Sequence, residues 1–417
     1  MYRKFVLKNG LRVVTERLPS LKSVTIGIWV NVGSRDEAKG EEGFSHFIEH
    51  MFFKGTKTRS AVQISREIDG MGGEMNAFTT RETTTFYVKV MSQHLKPALA
   101  LLSDLFHHSR FDLKEVEKEK QVVLEEVRMV QDDPEDFVQD LHTQQALNRH
   151  PLGRPILGDT ATIRGLQRRH LLQYMGSHYH PLETVIAIAG DFEFNALEPL
   201  MERSFGSSRR EAPPKRDRWP PRVNGGVSVR RKPLEQAHLC LGLKGVPIGH
   251  KDRYAAHALN AVLGGSVSSR LFQEIREKRG LAYSIYSYLS MYSDVGTLTI
   301  YAASRPREAA RVVELATRAL RRLRTGGVER KELERAKNQM KGGLMLSLES
   351  SHSRMNKLAK DELCLGRHSS LEEIVTEIEQ VSEEQVLRLS RELFRLQSLS
   401  LTALGPISQR SLQHALA

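Results

Sequence analysis

The sequence predicts an α+β fold of two homologous domains, each a mostly antiparallel sheet covered by helices on one face. Three observations carry this expectation. Strand-period and helix-period segments come in runs rather than in strict alternation. An Asn9-Gly10 pair stands between two alternating segments and signals a hairpin. The chain also repeats its own pattern on either side of a connector rich in Pro, Arg and Gly, Ser207 to Gly226. Such a connector can continue neither a helix nor a central strand.

In chain order, the first domain (1–206) opens with Phe5, Leu7, Leu11 and Val13 set against Lys4, Lys8, Arg12 and Arg17. Val24, Ile26, Ile28, Val30 and Val32 follow with period 2, the pattern of a strand with one buried face. A polar loop leads to the helical segment HFIEHMFFKGT. A second strand set (Thr83 to Val90), an amphipathic helix and an acidic helix from Leu113 complete the order. The second domain (227–417) repeats it with Leu239, Leu241 and Leu243, then AHALNAVLGGS, then Gly296 to Ala302. Its charged helix begins at Arg330, 217 positions after Leu113. The repeated helix favours duplication of one design.

Composition excludes several classes. At 417 residues, with 40% hydrophobic and 27% charged residues, the chain is of globular composition and long enough for two or three domains. The longest apolar runs, such as Val185 to Ala189, are strand-sized, far short of the ~20 residues that span a bilayer. No membrane partner is expected. The formal charge is +12, but basic residues are interspersed with acidic ones and aromatics are only 6%, so no nucleic-acid partner is expected either. Cys240 and Cys364, the two cysteines, sit in apolar patterns and read as buried thiols. The first 19 residues lack the apolar core of a signal peptide, so the expected location is the cytoplasm, unless a presequence has been removed.

The chemistry concentrates in His46-Phe47-Ile48-Glu49-His50. On a helix, positions i and i+4 share a face, so both imidazoles can reach one metal ion. Glu49 lies beside them. Zinc favours imidazole nitrogen and carboxylate oxygen, and a neighbouring acid can take the proton of an attacking water. A third protein ligand is needed. The segment EVEKEKQVVLEE (115–126) is acidic, and Glu119 and Glu126 lie two helical turns apart on one face.

HFIEHMFFKGT with the acidic helix 76 residues later resembles the inverzincin metallopeptidases of the pitrilysin and insulinase family. The likeness covers nearly the whole chain. It is nearest to the half-length branch: bacterial processing-peptidase-like proteins and the catalytic subunit of mitochondrial processing peptidase. The resemblance implies that His46, His50 and Glu126 hold one zinc ion per chain. It implies that Glu49 is the general base and that Glu119 supports a zinc-bound histidine. Gly73 to Thr79 resembles the family's edge strand, on which a substrate peptide adds as a strand, with Glu74, Asn76, Ala77 and Thr79 as its binding residues.

The second domain departs from this pattern. Ala256, Leu259 and Asn260 stand opposite His46, Glu49 and His50, and Ala336 and Gly343 stand opposite Glu119 and Glu126. It keeps Arg276 and Tyr283, seven residues apart, which the resemblance makes donors to the substrate carbonyl and its developing oxyanion. His178 and His180 lack an acidic partner nearby and read as loop packing; His107-His108 reads as a helix end.

The function expected is a zinc endopeptidase cleaving short or unfolded polypeptides in an enclosed dimeric chamber. Full-length relatives pair two such halves, so this chain is expected to form a homodimer, or a heterodimer with a paralogue. The alternative is a non-catalytic peptide-binding or scaffold subunit of a processing-peptidase-like complex, against which the intact HxxEH and Glu126 speak.

Overall fold

A computed structural model describes residues 1–207, 216 and 218–416, so residues 208–215 and 217 of the expected connector lie outside the described residues. The chain forms two compact units, and neither is contiguous in sequence. The first comprises Met1–Arg128, Arg154–Arg218 and Leu346–His368; the second comprises Met129–Gly153, Trp219–Met345 and Ser369–Ala417.

The first unit is built on a six-stranded sheet. Its strands are β1 (Tyr2–Val6), β2 (Arg12–Arg17), β3 (Ser23–Val30), β4 (Glu74–Thr79), β5 (Thr84–Met91) and β6 (Thr184–Gly190), in the order β1-β2-β6-β3-β5-β4. All pairs are antiparallel except β2 with β6. The β1–β2 hairpin turns at Gly10, whose φ of 89° suits glycine. Val24, Ile26, Ile28 and Val30 face one helix layer, as their spacing requires. That layer includes α1 (Phe44–Phe52), α2 (Ala61–Gly70), α3 (Leu95–His108) and the first part of α4 (Leu113–Asp132).

The alternate residues of β3 face the other way. Trp29 joins Val14, Val185, Ala187 and Ala189 in a second apolar layer, closed by Met355, Leu358 and Ala359 of the helix Ser351–Lys360. Trp29 Nε1 donates to Met355 Sδ at 3.1 Å, and Thr25 and Ser351 share a 2.8 Å hydroxyl hydrogen bond. At Gly27 a Cβ would lie 2.4 Å from Met355 Sδ, so glycine lets this helix sit close to the sheet.

The second unit has five strands: β7 (Gly226–Arg230), β8 (Ala237–Gly245), β9 (Ala282–Met291), β10 (Gly296–Ser304) and β11 (Ser400–Leu404), in the order β7-β11-β8-β10-β9. Only β7 with β11 is parallel. Leu239, Leu241 and Leu243 pack into the helix layer. The opposite face carries α5 (Pro134–Ala146), whose Val138 packs with Cys240, Tyr301, Ala303 and Leu404. His142 Nδ1 lies 3.1 Å from Thr402 Oγ1. Cys240 is buried there, Cys364 is half-buried, and both are free thiols.

The α+β class and the two helix-covered sheets are thus as the sequence reads. What it did not show is that, among the described residues, a helix from the other half of the sequence covers the outer face of each sheet. That exchange makes the compact units differ from the contiguous halves 1–206 and 227–417. Among the described residues, no helix is long and apolar enough to cross a membrane.

Candidate metal centre

Helix α1 is set by its buried start. Gly43 has a φ of 94°, and a Cβ there would lie 2.7 Å from the Leu157 carbonyl oxygen, so the turn into the helix requires glycine. The Glu37 carboxylate accepts the backbone N–H groups of Gly43 and Ser45, each at 2.8 Å. These are orphan donors of a helix N-terminus. Burial pushes the Glu37 carboxyl up to about 8, against the opposing pull of those donors. Phe44, Phe47, Ile48, Met51 and Phe52 are buried in the core. His46, Glu49 and His50 therefore occupy the remaining face.

Helix α4 meets that face. Val116, Val123 and Leu124 anchor it in the core. Glu119 and Glu126, two turns apart, then both reach α1. His46 Nε2 and His50 Nε2 lie 3.2 Å apart. Glu126 Oε2 is 3.6 Å from the first and 3.4 Å from the second. Among the described residues, these three form the one set of His, Cys, Asp and Glu side chains whose ligand atoms converge on a point.

Three donors around a metal at ~2.05 Å in tetrahedral geometry stand roughly 3.3 Å from each other, the scale seen here. Glu126 Oε2 is buried without a hydrogen-bond partner. A buried anionic oxygen without a donor is costly unless a cation completes it. The residues fit a zinc ion on both counts.

The neighbouring groups sharpen this fit. His50 Nδ1 lies 2.8 Å from Glu119 Oε1, which leaves Nε2 with its lone pair free to ligate. Glu119 Oε2 is 2.6 Å from Lys54 Nζ. Burial would raise the Glu119 carboxyl, but its bonds to His50 and Lys54 outweigh burial and hold it below the usual range. Burial also works to lower His50, and the Glu119 hydrogen bond with the Glu126 charge turns the net shift upward. His46 has no such partner, and burial, with His50 beside it, drives it down to about 3. A neutral imidazole is the form that binds metal. Glu49 is raised chiefly by burial, opposed by a hydrogen bond from the Thr79 hydroxyl to its Oε2.

Strand β4 lies at the edge of its sheet, paired with β5 on one side. Glu74 and Asn76 are exposed; Ala77 and Thr79 are half-buried. The Ala77 N–H donates to Asn76 Oδ1 at 2.8 Å. The structure therefore places Glu74, Asn76 and Ala77 on an edge strand, and turns Thr79 toward Glu49.

Arg276 and Tyr283 belong to the second unit. Arg276 lies in the last turn of a short helical segment, Phe272–Glu277, and Tyr283 is the second residue of β9. The guanidinium lies 6.0 Å from the Tyr283 ring centroid and 4.8 Å from that of Phe272. The Tyr283 side chain is 77% exposed. In the second unit, at the sequence counterpart of His50, Asn260 Oδ1 accepts from Ser287 Oγ at 2.7 Å. Where the first unit aims an imidazole outward, this one fastens helix to sheet. His178 Nδ1 lies 2.9 Å from the Tyr174 carbonyl and His180 Nε2 lies 3.1 Å from that of Ser177, both local packing.

Sequence reasoning missed Glu37 and Lys54. Lys54 carried a signal, since it follows His50 by four residues and continues the same face. Glu37 carried none, because it reaches α1 through a loop.

Comparison with known proteins identifies the family of the chain. The family described as Insulinase (Peptidase family M16) matches residues 12–160, and the Peptidase M16 inactive domain matches residues 165–340. The chain is 46% identical over 395 residues to the uncharacterized zinc protease YmxG of Bacillus subtilis, covering 94% of this chain and 96% of that protein. It is 40% identical over 421 residues to an uncharacterized zinc protease of Mycobacterium tuberculosis, covering 99% and 95%. The crystal structure of a protease from Helicobacter pylori superposes with a TM-score of 0.91 at 24% identity, covering 97% of this chain and 99% of that one. A peptidase M16 inactive domain structure from Pseudomonas fluorescens gives 0.91 at 19% identity, covering 97% and 98%; these two likenesses speak for the fold. By the extent and identity of the sequence matches, the chain belongs to the insulinase family of peptidases, family M16.

Proposed function

We propose that the protein is a zinc-dependent endopeptidase acting on short or unfolded polypeptides. The observation that carries this reading is the convergence of His46 Nε2, His50 Nε2 and Glu126 Oε2 with the Glu49 carboxylate on the same helix face. The relatives named zinc proteases support the choice of metal. Zinc held by these side chains would supply a Lewis acid and make a water acidic enough to attack at neutral pH.

The chain's own residues do the rest. Glu49 takes the proton of the attacking water and returns it to the leaving amine. Glu119 fixes the His50 ring through Nδ1. The edge of β4 offers main-chain groups from Glu74 to Thr79 to an extended peptide, which accounts for broad sequence tolerance. Arg276 and Tyr283 donate to the carbonyl oxygen as charge develops on it.

Arg276 and Tyr283 lie in the unit that lacks the metal ligands. By the likeness to full-length relatives, the site is completed by a second chain, in a homodimer or a heterodimer with a paralogue. This chain carries both the ligand set and the Arg/Tyr pair, which favours the homodimer. One zinc ion per chain and a cytoplasmic location belong to the same reading.

The test is a digest of an unfolded polypeptide read by mass spectrometry. The protein should release internal fragments, a chelator should stop the release, and added zinc should restore it. Cleavage that a chelator leaves intact, in protein shown to have lost its metal, would refute the reading.

A further inference from the structure

The family resemblance implies a substrate-binding role for Thr79, as part of the edge strand. Its side chain has another partner. The Thr79 hydroxyl donates to Glu49 Oε2, linking the end of β4 to the metal-binding helix. We propose that Thr79 is a positioning residue, which fixes the Glu49 carboxylate by this hydrogen bond. The inference rests on the reading of Glu49 as the general base.

Three features support the assignment. First, the bond occupies one carboxylate oxygen and leaves Oε1 for a proton. A hydrogen bond to a charged acceptor is among the stronger ones in proteins. Second, Thr79 has a rigid foundation. The next turn is closed by Thr80 N–H to the Thr83 carbonyl at 2.7 Å, with the Thr80 hydroxyl accepting from Thr83 N–H at 2.9 Å. That turn is tied to the segment before α1, where Arg35 N–H donates to the Arg81 carbonyl at 2.8 Å and the Arg35 guanidinium bonds Glu82 at 2.7 Å. A Cβ at Gly33 would lie 2.3 Å from the Thr80 carbonyl oxygen, so the two segments are in close contact. Third, Glu49 is held from the strand that would receive the peptide. A peptide added to β4 is thereby set in register with the base, which places attacking and accepting groups together.

The experiment compares Thr79→Val, which keeps the shape and removes the donor, with Thr79→Ser, which keeps the donor. In zinc-loaded protein, Thr79→Val should lower kcat about 10- to 100-fold, the range for a lost bond to a charged group, with KM within about twofold and zinc content unchanged. Thr79→Ser should stay within about threefold of wild type. In a Glu49→Gln background, Thr79→Val should cost nothing further, whereas a general structural defect would lower the residual rate again. A crystal structure of Thr79→Val should show Glu49 in more than one rotamer. A raised KM with kcat unchanged, an unchanged kcat, or a single unaltered Glu49 rotamer would each overturn the proposal. Failure of the underlying reading looks different, since Glu49→Gln itself would then remain active.

Discussion

Glu119 joins two side chains four residues apart: one carboxylate oxygen lies 2.8 Å from His50 Nδ1 and the other 2.6 Å from Lys54 Nζ. On the proposed reading, the anion orients the ring and makes its other nitrogen a better metal ligand. Glu119→Gln keeps the shape and removes the charge. Zinc affinity should fall about 10- to 100-fold, measured by competition with a chelating indicator. Unchanged affinity would remove Glu119 from the site.

In the proposed metal site, Glu126 is the one carboxylate beside His46 and His50. Glu126→Gln should lose zinc on dialysis against a mild chelator that leaves wild type loaded. Undiminished zinc in that variant would refute the assignment.

Glu49 is the general base of the proposed mechanism, not a metal ligand. Glu49→Gln should keep its zinc and fold, and lose peptide cleavage by about 10²–10⁴-fold, as for other general bases. A variant with more than about a tenth of wild-type kcat falls outside that range and assigns the proton transfer to another group.

The shared-site reading makes a sharp prediction for mixtures. Glu49→Gln and Arg276→Ala/Tyr283→Phe should each be nearly inactive. On that reading, each site of a closed two-fold pair joins the first unit of one chain to the second unit of the other. A mixed dimer then has one site with every defect and one with none. Equal mixing with subunit exchange should restore about 25% of wild-type activity. No recovery, with exchange shown by differently tagged chains, would place each site within one chain.

Much of this was legible in the sequence, for physical reasons that differ by element. Val24, Ile26 and Ile28 announce their strand because one buried face forces period 2. His46 and His50 announce a shared face because i and i+4 adjoin on a helix. Glu126 is a different case, since 76 residues separate it from His50 and the family resemblance, not local geometry, selected it. The Thr79 to Glu49 bond was not legible, because a strand end meeting a helix is a tertiary event. Nor was the exchange of helices. The pattern of Phe137, Val138 and Leu141 shows that α5 has an apolar face, but says nothing about which sheet it covers.

The seat of α5 can be tested at one glycine. A Cβ at Gly242 would lie 2.2 Å from His142 Nε2, in a fully buried position. Gly242→Ala should destabilise by about 1–3 kcal/mol, the usual cost of overpacking, seen as a lower midpoint of thermal unfolding. Adding His142→Ala should cost less than the sum of the single changes. Strict additivity would mean that helix and strand do not meet there.

The crossing of helices between the halves also bears on how the protein can be taken apart. A gene split between codons 207 and 226 would yield two polypeptides, each lacking a helix that its own sheet requires and carrying one that the other needs. Neither fragment would be a domain in the sense of an independently folding piece. Expressed together they should reassemble as a split protein; expressed alone, each should aggregate through the uncovered face that Trp29 or Tyr301 marks. A backbone nick in the same stretch would leave the molecule whole, its two pieces interlocked without a covalent bond.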